Sequence, residues 1–552
     1  MKKPRIKNIC ALFLMLAIAL QAGICARAVA PSGAVLSLAG DPKTTRTVTW
    51  RGDTQGDSYV EYTDEAAYEK DGFSAARRIK AESRDISLGG TGAWHYEAEI
   101  PGLAPDTKYI YRVGGAEIWS EARTFITAAE ESDAFSFVFF GDIQVKSDME
   151  TEYAQWGELA KKAYERAPDM AFGLFAGDIV ESGISLAQFD SFSKNAAPVF
   201  GSVPMMATNG NHESNFIGGK PEMYLDYFAL PKNGPAGFIE EFYSFDYANC
   251  HVTVLNSWVF SGEQPLNDGD YAKINAWIEN DLRSSGATWK IVLMHHPAYA
   301  VHNDGVANAV LSEWSPLFER FGVSLVFVGH QHVYSRTYPM LGGEINFENG
   351  VTYIMGNSGQ KFYSSADDRY SERVLYDIAT YQLVRIDGNE LTVQTYDIDG
   401  NELDYWTGSP RSAVTRLSFI ESLYKMSGFP APTAASPFSD ANDACVIWAH
   451  ENGIVNGTGS GLFSPDEAVT REQAAVMIYR YAQSVKKDTS KRGELSAFED
   501  GGAVAEWAHD AISWAVGAEI MSETAGAALA PKSALTHAEA ERLLLNFEKS
   551  GQ

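Results

Sequence analysis

Cysteine is scarce in this chain, with four in 552 residues. Cys10 and Cys25 fall within the first 30 positions, and Cys250 and Cys445 lie far apart. A disulfide framework is therefore excluded, and the folded parts must be held by their cores. That suits export from a bacterium without an oxidising periplasm. Basic charge is also short: 44 Lys and Arg against 72 Asp and Glu give a formal charge of −28 and a pI near 4.8. A nucleic acid needs a basic footprint, so that class of partner is excluded, and the acidic excess reads as a solvated surface. Beyond the N-terminus no apolar run is long enough to span a bilayer, which takes about 20 residues. With 48 Gly and 21 Pro, collagen-like and low-complexity architectures are excluded too. What remains is 45% hydrophobic and 12% aromatic, enough to bury sizeable cores. At about 150 residues per domain the length predicts three to four domains.

The first 30 residues read as a secretory signal peptide. Lys2, Lys3, Arg5 and Lys7 precede the uncharged run Ile9–Leu20, and Ala28-Val29-Ala30 offers small residues at −3 and −1. From 31 to 130 the chain alternates at period two, as in Trp94, Tyr96, Ala98 and Ile100 against His95, Glu97 and Glu99. Strands with one buried face give this pattern. The stretch Leu103–Val113 resembles the corner and following strand of a fibronectin type III-like sandwich. Nothing in this part gathers ligands or nucleophiles, so a structural or substrate-shaping role is expected.

From 134 to 405 apolar strands alternate with amphipathic helices, and polar residues stand at the strands' carboxyl ends. Asp142 follows Phe135–Phe140, and Asp178 follows Met170–Ala176. Asn211 and His212 follow Val203–Thr208, His295 follows Ile291–Met294, and His330 and His332 follow Val323–Val328. Strand carboxyl ends are where α/β folds assemble sites. Carboxylates combined with imidazoles suit divalent transition metals, and Asp178 has two oxygens with which to bridge two ions.

The chain repeats itself from about 407. Ser409–Arg416, Ser464–Arg471 and Ala530–His537 match one another, and Thr470 with Gln473 forms a capping box. Such units cannot bury their faces singly and should pack together. Phe438, Asp440, Trp448, Gly453-Ile454-Val455-Asn456-Gly457, Phe463 and Thr470-Arg471-Glu472-Gln473 resemble an S-layer homology repeat. The first unit lacks its upstream half, and the third has His537 in place of arginine. This resemblance implies anchoring to an anionic secondary cell-wall polymer, with Arg416 and Arg471 as binding residues beside helix N-termini.

The blocks Gly141-Asp142-Ile143-Gln144, Gly177-Asp178-Ile179-Val180-Glu181, Gly210-Asn211-His212-Glu213, Val292-Leu293-Met294-His295 and Gly329-His330-Gln331-His332 resemble the calcineurin-like metallophosphoesterases. The preceding sandwich points within that superfamily to the purple acid phosphatases. The resemblance implies a first metal held by Asp142, Asp178 and His332, and a second held by Asp178, Asn211, His295 and His330. Glu181 stands where those phosphatases carry an iron-binding tyrosine, and Gln144 where many relatives have histidine. Gln144 is the candidate for the extra first-metal ligand, with iron, manganese and zinc all open. The expected catalytic residues are His212, to protonate the leaving oxygen or hold the phosphate, and, as a weaker candidate, His302, with His296 weaker still.

The sequence thus predicts a multidomain protein. Its parts are a signal peptide (1–30), a fibronectin III-like β-sandwich (31–130) and an α/β metallophosphoesterase sandwich of two mixed sheets flanked by helices (134–405). A small all-α S-layer homology bundle follows, as a partial repeat (407–430), a repeat (434–485) and a divergent repeat (495–550). The functional expectation is a secreted enzyme anchored to the wall of a Gram-positive type bacterium. It would hydrolyse phosphomonoesters by in-line attack of a metal-bound hydroxide. The alternatives are phosphodiester or nucleotide hydrolysis at the same centre, or a non-catalytic S-layer-associated surface protein.

Overall fold

The computed structural model describes residues 31–550 except 54, 87–92, 116–117, 215–219, 303, 348–349, 365–368, 411–413, 499, 522–527 and 536. The expected signal peptide and Thr536 of the third repeat motif therefore lie outside the described residues.

The period-two pattern of the first part builds two antiparallel sheets. One runs in the order Ser32–Ser37, Arg46–Gly52, Trp94–Ile100, Glu82–Asp85. The other has five strands around Tyr59–Asp64 and Lys108–Gly115. Trp50 faces Tyr96 across the first sheet, their rings stacked 5.7 Å apart. Both sheets bury Val60, Tyr62, Tyr111 and Val113 between them. At the expected corner, Ala104 N donates to Tyr109 Oη at 2.9 Å. The sandwich docks on the next domain through Arg51 Nε to Asp190 Oδ1 (2.7 Å) and Tyr111 Oη to the Gly201 carbonyl (2.6 Å).

The central domain stacks two sheets face to face. The six-stranded sheet runs Met205–Ala207, Gly173–Phe175, Ala134–Phe140, Tyr381–Asp387, Glu390–Tyr396, Glu402–Gly408. The seven-stranded sheet runs Tyr243–Tyr247, Cys250–Leu255, Trp289–Met294, Leu325–Val328, Thr352–Met355, Tyr334–Thr337, Ser371–Leu375. Phe137 and Phe139 of the first meet Phe327 of the second, the closer pair at 4.3 Å. Helices Met149–Arg166 and Leu186–Phe200 cover one outer face with Trp156, Phe192 and Phe200. Helix Asp268–Ser284 covers the other with Ile274, Ile278 and Leu282. Near-continuous apolar runs are what strands buried on both faces require. Three neighbouring strands of the first sheet and four of the second are parallel. Their carboxyl ends open onto one shared rim, and the metal-type residues lie there.

The C-terminal region packs helices Arg416–Met426, Ala444–Glu451, Arg471–Ser484, His509–Gly517 and His537–Lys549 around one apolar core. The expectation of a purely helical bundle is refined here. Extended residues precede three of these helices and bond in a closed ring, Val414 N to Leu535 O, Leu535 N to Val469 O and Val469 N to Val414 O, each 2.8 Å. Among the described residues no helix is long and apolar enough to cross a membrane.

Candidate metal centre

The rim is built on tight backbone. Asp178, His330 and His332 have φ of 47°, 76° and 47°, a left-handed conformation costly for side-chain-bearing residues. Two glycines of the motifs are required by contact. A Cβ on Gly210 would stand 2.2 Å from Asp178 Oδ1, and one on Gly329 would stand 2.1 Å from Asp142 Oδ1. The fully buried Glu213 clamps two of the loops. Its carboxylate accepts from Asp178 N, Ile179 N, Val180 N and Gly210 N at 2.7–3.1 Å.

Asp178, Asn211, His295 and His330 converge. His295 Nε2 lies 3.2 Å from Asp178 Oδ2 and 3.1 Å from Asn211 Oδ1. His330 Nδ1 lies 3.0 Å from Asn211 Oδ1 and 3.3 Å from His295 Nε2. The far nitrogens are already engaged, His295 Nδ1 by the Ala176 carbonyl (2.7 Å) and His330 Nε2 by Asp304 Oδ2 (2.8 Å). A donor set of one carboxylate, one amide oxygen and two imidazoles, each ring oriented from behind, fits a transition-metal ion.

Next to them, with Asp142 Oδ1 4.0 Å from His295 Nδ1, Asp142 Oδ2 and His332 Nδ1 face each other at 3.3 Å, both buried and neither hydrogen-bonded to protein. Burial pushes the Asp142 carboxyl up to about 7 and, with the nearby Lys361 ammonium, lowers His332 to about 3. Burial opposes ionisation of Asp178 as well, yet His295 and His212 hold its carboxyl well below the usual range. Two buried orphaned ligand atoms beside a second carboxylate fit a cation bound between them.

Gln144 reaches the same place. Oriented to satisfy its neighbours, its amide nitrogen donates to Asp178 Oδ2 (2.8 Å) and its oxygen accepts from His212 Nε2 (3.1 Å) and Lys361 Nζ (2.8 Å). His212 is tethered behind by Nδ1 to the Glu181 carbonyl (2.7 Å), and Glu181 Oε2 is 3.7 Å from that nitrogen. The structure thus gathers Asp142, Gln144, Asp178, Asn211, His212, His295, His330 and His332 at one rim. His302 stands one ring away: it packs on Tyr363 (5.1 Å), which packs on His332 (4.9 Å). His296 is fully buried, its Nδ1 at 2.9 Å from Ser257 Oγ and its ring stacked on Trp258, and burial drops its pKa far below the usual imidazole value. Arg416 and Arg471 are both 4% exposed and tie one repeat to the next, donating Nε to the Phe463 and Leu529 carbonyls.

Sequence reasoning missed Glu213, Asp304 and Lys361. Glu213 sits inside a motif already singled out. Asp304 caps helix Gly305–Glu313 in an ordinary way, and only the fold brings it to His330. Lys361 follows a parallel strand, Thr352–Met355, so its place at a strand end was the usable signal.

Residues 135–334 match the family model of the calcineurin-like phosphoesterases, and residues 31–127 that of the purple acid phosphatase N-terminal domain. Residues 445–475 and 497–541 match the S-layer homology domain. The central domain is a calcineurin-like phosphoesterase domain. This phosphoesterase domain and its sandwich have relatives across kingdoms. An uncharacterized protein of Mycobacterium tuberculosis is 27% identical over 278 residues, 44% of this chain and 51% of that protein. Purple acid phosphatase 18 of Arabidopsis thaliana is 27% identical over 342 residues, 60% of this chain and 72% of its own. The Fe(3+)-Zn(2+) purple acid phosphatase 12 of the same plant is 23% identical over 306 residues, 52% and 62% of the two chains. The match thus spans about half the length of the mycobacterial relative. Among solved structures, a purple acid phosphatase from yellow lupin (Lupinus luteus) seeds superposes with a TM-score of 0.56 at 18% identity, covering 68% of this chain and 74% of that one. PhoD gives 0.51 at 14%, covering 67% and 91%. At such identities these two describe the shared fold.

Proposed function

We propose that this protein hydrolyses phosphate monoesters at a dinuclear metal centre bridged by Asp178. The observation that carries the reading is the convergence of Asp142, Asp178 and His295, whose ligand atoms lie within 4.8 Å of one another, with Asn211 and His330 meeting His295 and with His332 facing Asp142. Asp178, Asn211, His295 and His330 would hold one ion, and Asp142, Asp178 and His332 the other, with Gln144 beside it. Iron, zinc or manganese held there would neutralise a phosphate ester and acidify a water for attack on phosphorus.

The chain's own groups do the rest. Glu213 and the left-handed turns fix the carboxylates before substrate arrives, so little reorganisation is needed. Water adds across the ester: its oxygen bonds to phosphorus, and the P–O bond to the alcohol breaks. The leaving oxygen takes a proton from His212 Nε2, which faces the rim because Nδ1 is held at Glu181. The proton lost by water passes to solvent, from which His212 is recharged. His302, behind Tyr363, would act at the edge of the substrate site.

The proposal extends to placement. Residues 1–30 would direct export, and the C-terminal repeats would hold the enzyme to an anionic cell-wall polymer at the inter-repeat junctions that contain Arg416 and Arg471. S-layer homology repeats belong to bacterial surfaces, which supports this reading.

The test pairs metal analysis with a chromogenic monoester and the corresponding diester, using purified protein. The expected result is about two transition-metal ions per chain and faster turnover of the monoester. Preference for the diester would replace the monoesterase reading. Absence of both metal and turnover would favour a non-catalytic surface protein. Sedimentation with native cell walls tests the anchor, and a protein that stays in the supernatant would refute it.

A further inference from the structure

We propose that Lys361 is a phosphate-binding residue of this centre, its ammonium taking a phosphoryl oxygen beside His212, which serves the leaving oxygen; the proposal rests on the phosphoesterase reading above. The residue lies outside the five motif blocks. Three observations carry it.

First, position. Lys361 Nζ lies 2.8 Å from the Gln144 amide, and His212 Nε2 approaches the same amide at 3.1 Å. Two donors therefore converge beside the carboxylate shared by both ligand clusters. Their present acceptor is a neutral amide oxygen. A phosphoryl oxygen is a stronger acceptor for an ammonium, since hydrogen bonds between ionised partners are shorter and about twice as strong.

Second, support. Lys361 belongs to a loop built into the metal rim. Asp142 bridges to Asn357, Ser358 N donates to the Asp142 carbonyl at 2.9 Å, and Asn357 Nδ2 donates to the Lys361 carbonyl at 3.1 Å. Tyr363, two residues on, packs against His332. The side chain is half-buried and starts from a fixed backbone, so a small swing of its flexible stem transfers the ammonium from amide to ligand.

Third, charge. The chain carries −28 overall, and its general field repels a phosphate. Lys361 sets an ammonium 2.8 Å from Gln144, at the rim where Asp142 and His332 face each other. It counters that field where the anion would sit.

The experiment compares metal-loaded wild type with Lys361→Met and Lys361→Arg, using inorganic phosphate as a competitive inhibitor and an aryl phosphate as substrate. Metal content is measured on every sample. The expected result is a phosphate inhibition constant raised about 10- to 100-fold in Lys361→Met. KM should rise in parallel, metal content should stay equal, and Lys361→Arg should recover much of the affinity. Equal phosphate affinity in wild type and Lys361→Met overturns the proposal. So does loss of metal from Lys361→Met, which would make the lysine a prop for Gln144. A wild type that holds metal but neither binds phosphate nor hydrolyses the ester would fell the phosphoesterase reading itself, and this proposal with it.

Discussion

Histidines at the metal rim and histidines elsewhere in the chain are treated in opposite ways. His295 and His330 each have one nitrogen tied from behind and the other facing Asn211, and His332 Nδ1 faces Asp142 with no hydrogen bond. At the base of the seven-stranded sheet, His251 has both nitrogens committed, to Asp246 at 2.7 Å and Asp281 at 3.0 Å. Its carboxylate partners outweigh burial and raise its pKa to about 9. His95, on the sandwich strand facing Tyr227, has neither nitrogen hydrogen-bonded to protein, and burial lowers its pKa to about 3. The difference teaches what marks a ligand. One nitrogen of His295 and of His330 is oriented from behind and the other converges with further ligand-type atoms on one point, whereas His251 spends both on separate carboxylates.

The largest effect that would sharpen this contrast is loss of the shared carboxylate. Asp178→Ala should lower turnover of an aryl phosphate by about 10³-fold or more and release both ions, with the circular dichroism spectrum unchanged. An active, metal-loaded Asp178→Ala protein would break the comparison.

His251 should behave as a structural cation. Its folded pKa lies above the usual 6.5, so its stabilisation is complete below about 6.5 and disappears as pH rises through about 9. His251→Gln should therefore cost on the order of 3 kcal/mol at pH 6 and much less at pH 10, measured by urea denaturation. A cost independent of pH would show that the ring is held by packing alone.

Asp304→Asn tests the tethering behind a ligand. Replacing this carboxylate should weaken one of the two ions by about 10- to 100-fold in competition with a chelator. The other ion should stay in place. An unchanged affinity would remove Asp304 from the site.

The smallest effect is expected at His95. A depressed pKa means that the unfolded chain takes the proton first, so stability present above about 6.5 is lost as pH falls toward about 3. At pH 5 the loss should be about 1–2 kcal/mol. His95→Phe should flatten that acid limb in thermal melts, and an unaltered slope would contradict the assignment.

Much of the site was legible because each candidate ligand directly follows an apolar strand, so local order in the sequence maps onto one rim. Asp142, Asp178, Asn211, His295, His330 and His332 are of this kind. What was not legible depends on contacts between distant segments. His330 and Asp304 come together across a loop and helix start, and Lys361 comes to Gln144 across more than 200 residues. Gln144 was chosen as a ligand by its place in the motif, while its hydrogen bonds depend on three other loops. The fold followed the same rule. Alternation and apolar runs announce the two kinds of sheet, whereas the ring of extended segments among the C-terminal helices joins residues more than 50 apart.

That ring makes the C-terminal region cooperative rather than modular. Each of its three segments gives one bond and receives one, so none can be deleted without stranding a donor and an acceptor on the other two. The last segment to leave the ribosome closes the circle. Truncation before Leu535 would remove two of the three bonds and strip the last helix from the shared core, while the central domain, with its separate core, would stay folded.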